Sequence, residues 1–196
     1  LTPISKAFST DIANEVAALG VQVHGGMGFI EETGAAQHVR DARILTIYEG
    51  TNGIQAMDLV GRKLPLGNGE VVRAYIGEMR ETAEMCRQSN HPVLTQVAGE
   101  LGDAINALET ATDWLLDRSK SNPMDTLAGA TPYLRLFGLA AGGHYLAKGA
   151  LAATQGEALD PAFVNRKLSS IRFFGANMLT ACGGLAASVM AGNDVV

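Results

Sequence analysis

The sequence predicts an all-α chain in two parts. A shorter helical segment covers residues 1–63, and a four-helix up-down bundle covers residues 70–196. Three observations carry this. Apolar residues recur every three or four positions along most of the chain, the period of helices with one buried face. The run Leu64-Pro65-Leu66-Gly67-Asn68-Gly69 is dense in turn formers and has no period, so residues 64–69 read as a linker. Hydrophobic residues make up 47% and charged residues 18% of the 196, which supports a packed core and excludes a disordered chain.

The elements follow in order. Ile12, Val16, Leu19 and Val23 mark a first helix, with Ser9, Thr10 or Asp11 as its N-cap. It should stop at Gly25-Gly26, because glycine is a poor helix residue and a good C-cap. A short helix follows around residues 31–38. Residues 44–48, Ile-Leu-Thr-Ile-Tyr, have strand propensity, but fit equally as an apolar lead-in to a loop. Thr51 is placed to N-cap a helix running through Lys63. In the second part, Val72, Ile76, Met79, Ala83 and Cys86 share one helix face. Leu94, Val97, Leu101, Ala104, Leu108, Ala111 and Leu115 share another. Residues 132–155 form a third helix, evenly apolar and so expected to be the most buried. Val164, Leu168, Ile171, Met178, Cys182, Leu185 and Val189 mark a fourth, opened by Asp160-Pro161 in the N-cap and N1 pattern. Short connections between such helices give an up-down bundle.

Composition excludes several classes of function. Net charge is −5, and no extended run of Lys and Arg exists, which argues against a nucleic-acid or anionic-membrane surface. Cys86 and Cys182 form no CxxC, and the four histidines do not cluster, so no metal site is expected. The two cysteines read as small buried hydrophobes of a reducing cytoplasm. Residues 173–193 carry no charge and are long enough to span a bilayer, but their glycines, alanines and polar residues fit a bundle helix better. The chain opens Leu1-Thr2-Pro3 without a basic leader, so no signal peptide is expected.

Two segments stand out chemically. In Gln22-Val23-His24-Gly25-Gly26-Met27-Gly28-Phe29, three glycines in four residues let a ligand approach the backbone, whose N–H groups can meet phosphate oxygens. A plain helix C-cap and turn accounts for the same residues, and an esterase-like oxyanion loop lacks its nucleophile elbow. In the second segment, Arg40 to Gln55, Glu49 follows a stretch rich in apolar residues and precedes Gly50. Held against apolar walls, such a carboxylate has a raised pKa and can act as a base. A solvated loop Glu fits the spacing too. Arg40 and Arg43 read as surface partners of Asp41 or Glu31.

Together these segments resemble the C-terminal helical domain of the acyl-CoA dehydrogenase family. The stretch Q-x-x-G-G-x-G-[FY], an acidic pair, and R-D-A-R-I-x-x-I-Y-E-G-T-N-x-I-Q occur at matching distance across residues 1–63. The second part resembles, more loosely, the extra C-terminal helical domain of long bacterial members such as the 3-methylmercaptopropionyl-CoA dehydrogenases, notably in Arg166-Lys167 to Arg172-Phe173-Phe174. The resemblance implies oxidation of acyl-CoA thioesters to 2-enoyl-CoA with FAD. Glu49 falls on the catalytic base, which takes the α-proton, and its backbone N–H on the oxyanion donor. Tyr48 and Gly50 would line the thioester, and Thr51 and Asn52 would contact FAD. Gln22, Gly25 and Gly26 would reach the FAD of a neighbouring subunit, which implies a homo-oligomer, a dimer or tetramer. Electron-transfer flavoprotein is the implied electron acceptor and the bacterial cytoplasm the implied location. Two positions depart from some members: Gly53 stands where they carry a long polar flavin contact, and Gly61 where they carry a substrate arginine. The family's N-terminal and β domains have no counterpart here. The chain is therefore expected to be a piece of a longer enzyme, inactive and flavin-free alone. A helical assembly domain without catalysis is the competing reading; a bundle has no need of the intact Tyr48-Glu49-Gly50-Thr51.

Overall fold

A computed structural model describes residues 1–156 and 160–195, and among them every regular element is helical. Helix α1 (Thr2–Val23) runs to the short α2 (Gly26–Phe29), and α3 (Ala35–Ile44) returns along α1. Helix α4 (Asn52–Asp58) continues through one π-turn, Leu59–Lys63, closed by Leu64 N–H donating to Leu59 O at 2.8 Å. Then come α5 (Glu70–Gln88), α6 (Pro92–Ser121), the short α7 (Pro123–Ala128), α8 (Ala130–Gln155), α9 (Pro161–Asn177) and α10 (Cys182–Met190). Helices α6 and α8 form the centre of the bundle. Helix α5 packs on one side of them and α9 with α10 on the other.

The predicted faces of α5 and α6 are the buried ones. Val72, Ile76, Met79, Ala83 and Cys86 are buried, as are all seven residues named on α6. Leu94, Leu101, Leu108 and Leu115 recur at the same point of every second turn and are fully enclosed. Truncating any of them to alanine would cost about 2–5 kcal/mol. Helix α8 contributes the longest list of buried residues, in line with its even apolarity. Inside the core Tyr133 Oη and Thr112 Oγ1 share a hydrogen bond of 2.8 Å, so neither hydroxyl is buried unpaired.

The structure differs from the sequence reading in four places. Helix α1 starts at Thr2, not after Ser9, Thr10 or Asp11, because Pro3 is preorganised for a first turn and Ile4 and Ala7 are drawn into the core. The stripe Val16, Leu19 and Val23 lies on the outer side of α1, each more than half exposed. The short helix expected around residues 31–38 is α3, Ala35–Ile44, with only a 3₁₀ turn at Glu31–Thr33 before it, and residues 45–48 form the loop lead-in, the second of the two readings of that stretch. The fourth predicted helix is two: α9 stops at Asn177, and a 3₁₀ turn at Leu179–Ala181 precedes α10. The expected cap at Asp160 is present, its Oδ1 accepting from Ala162 N–H at 3.0 Å. Pro161–Met190 is apolar and long enough to cross a bilayer, yet Leu168, Ile171, Leu179, Cys182, Ala186 and Val189 are buried in the bundle and the run is broken midway.

One hydrophobic cluster unites the chain. Ile4, Ala7, Ala56, Leu59, Val60 and Leu64 join the same core as α5, α6, α8 and α10. Helix α1 comes close to α8 at Gly138, where the Phe8 ring lies in the space a Cβ would fill. Arg135 of α8 also donates to Glu15 Oε1 of α1 at 2.7 Å.

Candidate functional site

The loop of residues 45–51 joins α3 to α4. Thr51 is the N-cap of α4, its Oγ1 accepting from Ile54 N–H at 3.3 Å. Just before it, Glu49 and Gly50 are both left-handed, with φ of 54° and 83°. Glycine adopts that conformation freely, but for Glu49 it costs about 1–2 kcal/mol, and it persists only where the surroundings hold it.

Hydrogen bonds from two sides hold it. Gln55 Nε2 donates to Glu49 O at 3.2 Å. Lys6 Nζ of α1 donates to Gly50 O at 2.7 Å and to Asn52 Oδ1 at 2.7 Å. Asn52 Nδ2 donates to Asp11 Oδ1 at 2.7 Å and to Thr10 Oγ1 at 3.0 Å. Asn52 N–H closes the loop onto Thr46 O at 3.1 Å. Both carbonyls at the apex are thus engaged. The Glu49 N–H makes no hydrogen bond to the described residues and is free to donate to a ligand.

The sequence residues fall in two places. Tyr48, Glu49, Gly50, Thr51 and Asn52 are contiguous at the loop apex, with Tyr48 and Glu49 exposed. The Glu49 side chain faces solvent in this chain and is not enclosed by the apolar residues before it, since Ile47 and Tyr48 are themselves about half exposed. Gln22, Gly25 and Gly26 form the turn between α1 and α2. Gly25 is left-handed at φ 60°, and a Cβ at either glycine would meet nothing, so the backbone there is open to an approaching group. Arg40 pairs with Glu31 at 2.7 Å, the surface role expected for it. Lys6, Thr10, Asp11 and Gln55 are the residues that sequence reading missed. Three of them reach the loop across more than forty positions, where no local spacing reports them.

Two sets of findings place this geometry among known proteins. Residues 75–196 match the family model "Acetyl-CoA dehydrogenase C-terminal like", and residues 1–64 match "Acyl-CoA dehydrogenase, C-terminal domain". The first match alone covers more than half of the chain. The chain belongs to the acyl-CoA dehydrogenase family. It is similar to a 3-methylmercaptopropionyl-CoA dehydrogenase of Ruegeria pomeroyi, with 42% identity over 184 residues, 93% of this chain and 31% of that protein. It is also similar to a butyryl-CoA dehydrogenase of Syntrophomonas wolfei, at 29% identity over 90% of this chain and 30% of that protein. A caffeyl-CoA reductase-Etf complex subunit of Acetobacterium woodii is 43% identical over 61 residues, 31% of this chain and 16% of that protein. The chain thus spans about a third of the length of the first two of these acyl-CoA dehydrogenase relatives.

The fit to FAD, the cofactor of acyl-CoA dehydrogenases, can be judged residue by residue. Gln22, Gly25 and Gly26 present an exposed amide and open backbone, which suit a polar cofactor segment. Thr51 Oγ1 accepts its cap bond and keeps its own proton to donate. The Asn52 side chain is engaged on both its oxygen and its nitrogen by Lys6, Thr10 and Asp11, so the backbone is what Asn52 has left to offer.

Proposed function

We propose that this chain is the catalytic-loop portion of a flavin-dependent dehydrogenase that converts acyl-CoA thioesters to 2-enoyl-CoA. The observation that carries the reading is the Glu49 apex. A carboxylate stands there on a fixed left-handed turn beside its own unpaired N–H. The two groups answer the two needs of α,β-dehydrogenation. The α-proton is weakly acidic, so it requires a base and a donor for the charge that develops on the thioester oxygen. The Glu49 carboxylate takes the α-proton. The Glu49 N–H donates to the thioester oxygen. Tyr48 and Gly50 flank the thioester, and water exclusion by bound substrate makes Glu49 a more effective base. Bound FAD supplies the acceptor for the β-hydride. Gln22, Gly25, Gly26, Thr51 and Asn52 are proposed as its contacts, the first three towards the flavin of a neighbouring subunit.

The names of the relatives support acyl-CoA as substrate class and electron-transfer flavoprotein as partner. A homo-oligomer, dimer or tetramer, in the bacterial cytoplasm completes the proposal, with residues 1–63 as the catalytic portion, 64–69 as the join and 70–196 as an added bundle. Among the described residues no group of three or more His, Cys, Asp or Glu side chains is placed to hold a metal ion.

The test uses the full flavin-loaded enzyme carrying this sequence, with butyryl-CoA and 3-methylmercaptopropionyl-CoA as substrates and an artificial electron acceptor. Glu49→Gln should abolish turnover while the flavin absorbance stays. Undiminished turnover in that variant refutes the assignment.

A further inference from the structure

We infer that Lys6 is a positioning residue for the loop that carries Glu49, an inference that rests on the proposed role of that residue. Three observations converge. Lys6 is half-buried, and its ammonium makes no salt bridge among the described residues. It is instead divided between two loop oxygens, Gly50 O and Asn52 Oδ1, each at 2.7 Å. Asn52 is in turn held at its nitrogen by Asp11 at 2.7 Å. A cation and a carboxylate, both on α1, therefore grip the loop from the two ends of one amide. Both terminal contacts are charge-assisted and short, the strong class of hydrogen bond.

The placement gives the clamp its consequence. Gly50 O belongs to the Gly50–Thr51 peptide unit, and Glu49 O to the Glu49–Gly50 unit before it. With Lys6 holding the first oxygen and Gln55 the second, both peptide units that follow Glu49 are tied in place. A left-handed Glu at the apex would otherwise relax towards the right-handed region and turn both its N–H and its carboxylate away. Lys6 lies forty-four positions from Gly50 and is on the first turns of α1, the helix that Phe8 seats against Gly138 of the bundle. The bundle thus supports the catalytic loop indirectly, through the helix that carries Lys6.

The experiment has two arms. In the 196-residue chain, amide exchange of residues 46–55 is followed in wild type, Lys6→Met and Lys6→Arg. The expected result for Lys6→Met is exchange about tenfold or more faster at Asn52, whose N–H bonds to Thr46 O, with bundle amides that open without the loop unaffected and the urea midpoint lowered by no more than that local loss accounts for. Lys6→Arg, which keeps the charge and the donors, should restore most of the protection. In the flavin-loaded enzyme, Lys6→Met should lower kcat about ten- to a hundredfold with little change in KM, because alignment of the base and not binding is lost. Unchanged loop exchange in Lys6→Met overturns the clamp. Faster exchange with undiminished kcat overturns the positioning role. Glu49→Gln is measured alongside: turnover surviving in it defeats the assignment of the base, and the exchange arm then still decides the clamp on its own.

Discussion

Gly138 offers a sharp quantitative test of how α1 is seated on the bundle. A Cβ added there would lie 2.3 Å from Phe8 Cγ, 2.4 Å from Cδ2 and 2.9 Å from Phe8 Cβ. Carbon atoms pack best at about 3.5–4.0 Å, so the ring must move by more than about 1 Å. Because Phe8 Cβ is also too near, turning the ring does not relieve the collision, and α1 itself must shift. Overpacking of this kind costs about 1–3 kcal/mol, and this site belongs in the upper part of that range. Replacing a helix-interior glycine by alanine returns about 0.5–1 kcal/mol. Gly138→Ala is therefore expected to lose about 1–2 kcal/mol net. Gly149 supplies the control. It lies on the same helix, and a Cβ there meets nothing within 4 Å. Gly149→Ala should gain about 0.5–1 kcal/mol, so the two variants should melt roughly 3–12 °C apart. Urea unfolding with unchanged slope reads both values. In a Phe8→Ala background the two ring contacts are gone and only the 2.9 Å contact with the Cβ of residue 8 remains, so Gly138→Ala should cost clearly less than in the wild type. A Gly138→Ala variant as stable as wild type, or one that costs as much without Phe8, refutes the close-approach argument.

Two further predictions concern buried titratable groups. Burial, reinforced by Lys148 and opposed by Glu78, holds the His144 pKa below the ordinary histidine value, and its Nδ1 has no partner in the fold. The unfolded chain therefore takes up this proton first as pH falls through about 6.5. The contribution of His144 is complete above that pH and lost below it, until the folded state too is protonated. His144→Gln should shrink the drop in urea midpoint between about pH 7.5 and pH 5.5, and an undiminished drop would remove His144 as its source. Burial also pushes the thiols of Cys86 and Cys182 up to about 11. Both are free and enclosed in the core. A thiol-specific reagent at about pH 8 should label neither in the folded chain and both in denaturant; fast labelling of the folded chain would contradict their burial.

Wherever burial follows local periodicity, the sequence was sufficient. The faces of α5 and α6 could be named residue by residue because each helix is long and has one apolar side. The motif from Arg40 to Gln55 located the loop, and Thr51 announced the start of α4. Three features were illegible for distinct reasons. The outward-facing stripe Val16, Leu19 and Val23 has the same period as a core stripe, since spacing records amphipathicity and not the partner. The break between α9 and α10 is masked because apolar positions keep helical spacing through Met178 and Cys182. The clamp on Glu49 depends on side chains brought together from distant positions, and in sequence Lys6 is an ordinary helical lysine.

The shared hydrophobic cluster separates inheritance from folding. Two family descriptions divide this chain between residues 64 and 75, as though two cassettes had been joined. The interior ignores that seam: Leu64, Val60 and Ala7 occupy the same apolar mass as Leu101 and Tyr133. Transplanting the bundle onto another member of the family would therefore need more than a cut in the connecting loop. The recipient would also have to supply a ring at the position of Phe8 and the small apolar surface around Ala56. Without them, the graft would bring its own helices and lose the surface on which they are seated.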